Sequence, residues 1–418
     1  MVSYVVSYGE VVMPRNSNVL AAGVRLADKL TLAQLHRYFP TDIVKDSLER
    51  AQKTTKRTRE LPNEFMTYYP MLLCLYRDVS QQEVLRVMAD GLSWLFGLTE
   101  FKITGKSGIS QARARVGSEP LIDVFDCCAK PLAKPGSKGC FYRSLRLVAI
   151  DGSDLDLDDC PENSQHFGRS KNQHGDGAYP KAKLVGLVEV GTRAAFALSV
   201  GKYKESENAL ALNVIPKLSN GMLCLADRLF MSWEIFDQAK NTGAELLFRA
   251  RDDRNLPVEK RFSDGSYLST IYAHTDRKQE TGIKVRVIDY DAEVVRNGNT
   301  TKHGYRLITT LMDHETFPFA ELVNLYRERW EFETMLDEVK THLMENQPLR
   351  SRTPDLVIQE IYGMVMAHYA IRAVMYEAAA SARIDPDELS FTHSRNVLER
   401  SLPKFGAFPP SAPIPAHL

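Results

Sequence analysis

Nowhere in the 418 residues is there an unbroken apolar run of about 18, so nothing reads as a membrane-crossing helix. Met1 to Arg15 also lacks the continuous apolar stretch of a secretory signal. These absences lead to the expectation of a cytosolic protein with no membrane partner. No C-x-x-C pair occurs. The six cysteines, at positions 74, 127, 128, 140, 160 and 224, have no Cys/His spacing suited to zinc and no pattern of a disulfide framework. They are expected to be reduced and mostly buried. Net charge is absent too, since 53 Lys and Arg face 53 Asp and Glu, so the whole chain offers no overall attraction for phosphate. The distribution is uneven, however. Residues 1–150 hold 21 basic against 14 acidic side chains, and within 101–150 the ratio is 9 to 3, so a basic front half is joined to an acidic back half.

The length calls for more than one core, and 44% apolar with 25% charged residues is ordinary for a folded chain. The front reads as helical: Leu61 to Tyr76 is an apolar and aromatic run, and Ser80-x-x-Glu83 is a capping box before Val84, Leu85, Val87, Met88 and Leu92. Gly105 to Gly108 is expected to break the chain. Ser110 then caps a short helix displaying Arg113 and Arg115, which Gly117 ends. From Leu145 the texture changes. A buried strand, Leu145 to Ile150, is expected to stop at Asp151; Lys183 to Val190 and Ala194 to Val200 form a hairpin; a helix over Glu205 to Leu218 precedes a strand, Met222 to Ala226, that stops at Asp227. Trp233 to Lys240 is a helix and Glu245 to Ala250 a strand. Residues 252–313, punctuated by Pro257, Gly265, Gly282 and Gly298, read as an inserted β subdomain. Helical periodicity runs from Pro318 to Leu343 and again from Pro354 to about Arg383, and the Pro-rich tail from Pro403 is expected to be unstructured. The fold expected is multidomain α+β: a helical N-terminal domain at 1–143, an α/β core at 144–251 completed by helices at 317–400, a β-rich insertion at 252–316 and a tail at 401–418.

Tyr326, Arg329, Glu333 and Lys340 are spaced by three, four and seven residues, which puts them on one helical face beside an apolar stripe of Leu325, Phe332, Leu336, Val339 and Leu343. Glu328 and Glu331 turn away and are expected to face solvent. A helix rich in Glu, Arg and Lys is ordinarily just solvated. Asp151 and Asp227, however, each close an apolar strand, and α/β sheets gather reactive groups beyond such ends. Two Asp and one Glu could hold two divalent ions about 3.5–4 Å apart for phosphodiester chemistry, and Mg²⁺, or Mn²⁺ in its place, accepts such oxygen ligands without His or Cys. Arg329 and Lys340 are then placed to clamp phosphates. His166, Arg169, Lys171, His174, Lys181 and Lys183 are ordinarily plain loop charges, but so near Asp151 they could line a DNA path. Two decoys fail on spacing: Asp154-x-Asp156-x-Asp158 has Asp159 where a calcium loop needs Gly, and Gly105-Lys106-Ser107 has Glu100 where a phosphate loop needs Gly.

These residues resemble the bacterial insertion-sequence transposases of the insertion-sequence-four group, within the DDE superfamily. The most specific match is Tyr-x2-Arg-x3-Glu-x6-Lys, met by Tyr326, Arg329, Glu333 and Lys340 within Leu325-Tyr-Arg-Glu-Arg-Trp-Glu-Phe-Glu333. Supporting matches are Ala149-Ile-Asp151-Gly152-Ser153, with Ser where many relatives have Thr, Gly177-Ala-Tyr-Pro-Lys181, Leu225-Ala-Asp227-Arg228-Leu-Phe230, Asp264-Gly-Ser266 and Leu349-Arg-Ser-Arg-Thr-Pro354. Arg59-Glu-Leu-Pro62 and Gln111-Ala-Arg113-Ala-Arg115 look like the family's amino-terminal DNA-binding domain. The resemblance implies an RNase H-like core, with Asp151, Asp227 and Glu333 holding metal, and Tyr326, Arg329, Lys340, Arg228, Arg113 and Arg115 on DNA. It also implies cut-and-paste movement of an element with inverted-repeat ends, a hairpin intermediate, a homodimeric synaptic complex on end and target DNA, and a cytoplasmic, nucleoid-associated bacterial setting. Alternatives are an RNase H-like nuclease or domesticated transposase that no longer joins DNA, and a catalytically silent DNA-binding regulator.

Overall fold

A computed structural model describes residues 32–55, 60–92, 104–172, 175–251, 254–296 and 299–396. Arg59, His174 and the Pro-rich tail lie outside them. The front is helical: α1 (Leu32–Tyr38), α2 (Thr41–Arg50), α3 (Asn63–Met66), α4 (Tyr69–Leu75), α5 (Gln81–Leu92), α6 (Lys106–Val116) and α7 (Glu119–Cys128). At the expected capping box, Ser80 Oγ accepts the Glu83 backbone N–H at 3.2 Å. Further on, α6 begins earlier than the glycines suggested. Its N-cap is Gly105, so Gly108 and Ser110 lie inside the helix and Ser110 caps nothing.

Next come β1 (Phe141–Tyr142), β2 (Leu145–Asp156), α8 (Pro161–Phe167), β3 (Arg169–Asn172), β4 (Gly175–Glu189), β5 (Ala194–Lys202), α9 (Glu207–Val214), β6 (Met222–Ala226), α10 (Trp233–Asn241) and β7 (Glu245–Arg249). Strands β2, β6 and β7 are parallel neighbours, and β4 and β5 pair antiparallel on the other side of β2, giving the order β5, β4, β2, β6, β7. All five β6 residues are buried, as parallel strands covered on both faces require. Alternation splits the strands between two cores. Val148, Ile150, Cys224, Ala226, Leu246 and Phe248 pack under α9 and α10, while Ala149, Leu225 and Leu247 face Phe332, Leu336 and Val339.

Two expectations are corrected here. First, β2 does not stop at Asp151. Its parallel pairing with β6 ends at Ile150 and Ala226, but β4 stays in register to Asp156 and Lys181, so the strand continues through Gly152 and Ser153. The β-rich stretch that follows comprises β8 (Lys260–Arg261), β9 (Tyr267–Tyr272), β10 (Gly282–Arg296) and β11 (Asn299–Thr309), and β11 pairs with β7, extending the same sheet. Second, 318–343 is not one straight helix. It comprises α11 (Phe319–Leu325), a 3-10 turn (Tyr326–Trp330), α12 (Glu331–Asp337) and a π turn (Glu338–Leu343).

The closing helix, α13 (Pro354–Ala382), is apolar around most of its circumference because it is enclosed. Its Gly363 crosses α4 so closely that a Cβ would come within 2.5 Å of the Pro70 carbonyl carbon. The front helices thus share one core with the back half. Arg350 donates to the carbonyls of Tyr76, Arg77 and Val79 just past α4, and Arg113 donates to Ser351 Oγ and the Leu356 carbonyl at 3.1 and 2.9 Å. Arg113 is therefore buried rather than displayed.

Candidate active site

Asp151 lies one residue past the last parallel pair of β2 and β6, and Asp227 directly follows β6. Pairing between the two strands is lost at that point, which leaves room between them. By strand alternation both carboxylates face the side where α12 packs. Asp151 Oδ1 accepts the Gly152 N–H at 2.8 Å, and Asp227 Oδ1 accepts the Leu229 N–H at 2.7 Å in a local turn.

The signature helix meets this edge at three points. Tyr326, buried in the 3-10 turn, donates its hydroxyl to the Ala226 carbonyl at 3.2 Å and so pins the helix to the residue before Asp227. Arg329 donates to Asp151 Oδ2 at 2.7 Å and to Glu333 Oε1 at 3.1 Å, one guanidinium joining two carboxylates far apart in sequence. Lys340 Nζ donates to Ser153 Oγ at 2.6 Å, two residues along β2 from Asp151 on the same face. Trp330 is 53% exposed beside the Arg329 guanidinium, which lies 5.2 Å from its ring centre.

Burial dominates the electrostatics. It pushes the Asp151 carboxyl up to about 6, with Asp227 and Glu333 adding to the rise and the Gly152 N–H and Arg329 opposing it. The Tyr326 phenol is raised and the Lys340 ammonium lowered, burial being the first cause of each. Among the described residues no three Asp, Glu, His or Cys side chains are gathered closely enough to hold an ion. Arg329 supplies the positive charge between Asp151 and Glu333. The donor chemistry nevertheless fits a hard divalent cation: three carboxylates, two of them at adjoining strands where their pairing ends, with Glu333 44% exposed and able to reorient.

The remaining sequence candidates scatter. Arg228 is exposed next to Asp227, whereas Arg113 is buried against Ser351 and Leu356, and Arg115 donates to the Leu61 carbonyl at 3.0 Å. Glu331 does not face solvent as its helical angle suggested. The preceding 3-10 turn alters its direction, and its carboxylate pairs with Arg193 at 2.5 Å. Asp264 and Ser266 hold buried Arg286, and Asp264 also accepts the Phe319 N–H at the start of α11, so that motif supports the helix from below. Sequence reasoning missed Glu207, whose carboxyl group lies 3.0 Å from where a Gly152 Cβ would stand and within the field of Asp227. The glycine after Asp151 was its signal.

A family described as the insertion element 4 transposase N-terminal domain matches residues 29–126, and one described as the transposase DDE domain matches residues 142–370. The chain is 28% identical over 381 residues to the transposase InsG for insertion sequence element IS4 of Escherichia coli K12, covering 89% of this chain and 83% of that protein. It is 26% identical over 199 residues to the putative transposase InsZ of the same organism, covering 47% of this chain and 64% of that one. Among solved structures, a cryo-EM piggyBac transposase synaptic complex with hairpin DNA aligns over 92% of this chain and 83% of its own, at 12% identity and a TM-score of 0.45.

Proposed function

The chain belongs to the transposase DDE-domain family, as a DNA transposase of the insertion element 4 group that cleaves DNA and transfers strands, and on that premise we propose that Asp151, Asp227 and Glu333 are its catalytic carboxylates. The observation that carries this reading is the Arg329 guanidinium, hydrogen-bonded at once to Asp151 and Glu333 at the strand edge where Asp227 also stands. The order β5, β4, β2, β6, β7, with an antiparallel hairpin leading into parallel strands and the acidic helix packed across them, supports an RNase H-like core. Domains of this family use divalent metal ions. In our reading there are two, Mg²⁺ or Mn²⁺, held by the three carboxylates, and they supply an activated water or 3′-hydroxyl and neutralise charge on the phosphodiester.

The protein's own groups bind and orient. Arg329, Lys340 and Tyr326 face the same edge, and Arg329 and Lys340 exchange their present partners for phosphates of the cleaved strand. Exposed Arg228 extends that path. The substrate is double-stranded DNA, first the inverted-repeat ends and then the target, handled by a homodimer through a hairpin on the element end. The front third, residues 1–143, takes part in end binding from its exposed basic side chains, Arg113 and Arg115 excepted.

Asp151→Ala, Asp227→Ala and Glu333→Ala are each expected to abolish strand cleavage while the protein folds and binds end DNA. Asp337→Ala, an exposed carboxylate on the same helix whose side chain accepts locally from Thr341, is the control that stays active. Near wild-type cleavage by any one of the three folded variants removes that residue from the site.

A further inference from the structure

Glu338 stands directly behind the polar line, on the same helical segment, and no motif accounts for it. It opens the π turn and is buried. Its carboxylate accepts hydrogen bonds from His368 Nε2 and Arg372 Nε, each at 2.9 Å, from Arg372 Nη2, and from Arg193 Nη1 at 3.1 Å. Arg193 also reaches Glu331 and Asp387, and Phe391 stacks on His368 at 5.2 Å with the Arg372 guanidinium 5.6 Å above it. Four separate segments meet here: the turn between β4 and β5, the signature helix, the middle of α13, and residues 386–391. Burial alone would raise the Glu338 carboxyl, but Arg372, His368 and Arg193 overcome it and hold it at about 2.

Holding two helices together does not require ions. Apolar side chains of similar volume do it as well or better, whereas a buried ionic group fixes one geometry among several. The geometry fixed here is a π turn, a rare element that recurs at functional sites. Lys340 lies two residues past Glu338, inside that turn. It meets Ser153 instead of the carboxylates.

We propose that Glu338 is a positioning residue for strand transfer: gripped by Arg193, His368 and Arg372, it fixes the π turn, and the π turn sets Lys340 on Ser153, ready for a DNA phosphate. The proposal rests on the reading of Lys340 as a phosphate-binding group, and two separate readouts keep the two apart.

The first readout needs no DNA. In the full-length protein, the rate at which acetic anhydride modifies Lys340, measured by mass spectrometry against exposed Lys204, is expected to rise several-fold in Glu338→Gln at a temperature where the protein stays folded. The second is the ratio of nicked to hairpin and joined products on end DNA. Loss of Lys340 placement is expected to lower the later products about tenfold or more, since misplacement of this kind is costly. The double variant Glu338→Gln/Lys340→Ala should then be no worse in that ratio than Lys340→Ala alone. Where Glu338→Gln does not fold, Arg372→Lys, which keeps a cation but changes its reach, is read in the same way. Unchanged Lys340 labelling, or losses that add in the double variant, would overturn the proposal and leave Glu338 a purely structural group. Faster labelling combined with a normal product ratio from Lys340→Ala would uphold the placement and overturn the phosphate role.

Discussion

The signature segment has two polar sides, and they are built on different plans. Toward β2, Arg329 and Asp151 are largely buried, but the guanidinium also bonds Glu333, which keeps much of its carboxylate exposed. Toward α13, Glu338 is enclosed and receives four hydrogen bonds from three cationic or polar partners. A pair shared with water is worth at most about 1 kcal/mol and can be traded for DNA, whereas a broken buried pair strands a charge. One helix thus presents an exchangeable face to its substrate because its other face is not exchangeable.

The sharpest way to break this contrast is to remove one partner on each side. Glu338→Ala or Arg372→Ala is expected to cost about 3–5 kcal/mol in denaturant unfolding, because an uncompensated buried charge remains. Asp151→Ala should cost less than that while abolishing cleavage, because the Arg329 guanidinium it leaves keeps Glu333 as a partner. Equal losses on the two sides would erase the distinction.

Acid sharpens the same comparison. The Glu338 carboxyl is at about 2 in the folded protein against an ordinary 4.5, so its folded value is depressed. The stability it contributes is complete above about 4.5 and is lost as pH falls from there toward about 2. Wild type should therefore lose stability through that window more steeply than Glu338→Gln in paired urea titrations. Parallel curves would show that Glu338 contributes no such linkage.

How much of this could be read in the sequence follows from the range of each interaction. Strand β6 was legible to the residue, because an apolar run bounded by Gly221 and Asp227 carries its own limits. So was α13, from Pro354 onward. The continuation of β2 past Asp151 was not, since it depends on register with β4 some thirty residues away. The π turn was equally hidden: it is fixed by Arg372 and His368, and nothing within the helix marks it. The basic excess of the front half misled in another way. Arg113 and Arg115 mark a short basic helix in the sequence, but both are spent on partners inside the protein.

A third region ranks between the two faces. Gly363→Ala drives a methyl group against the Pro70 backbone, where neither helix can yield cheaply, and a cost of about 1–3 kcal/mol is expected from such overpacking. Because α4 belongs to the front and α13 to the back, a single unfolding transition shifted to lower denaturant is the predicted result. Two transitions would mean that the halves unfold separately in spite of their shared core.

Arg329 ranks below the enclosed Glu338 cluster. Its guanidinium is itself buried between a largely buried Asp151 and a half-exposed Glu333, so Arg329→Ala is expected to cost less than the loss of a Glu338 partner, because Glu333 reaches water and Asp151 can take up a proton. The informative measurement is its dependence on divalent cation. With Arg329 absent, the Asp151 carboxyl loses a group that holds it down, and Asp151 and Glu333 lose the one bridging cation seen among the described residues, so added Mg²⁺ has more to compensate in the variant than in wild type. The midpoint of Arg329→Ala should accordingly rise further with Mg²⁺, by thermal denaturation at fixed ionic strength, and Asp151→Ala should abolish that extra rise. An equal Mg²⁺ response in wild type and Arg329→Ala would mean that the arginine and the metal do not compete for the same carboxylates, and the site assignment would then rest on cleavage by the carboxylate variants alone.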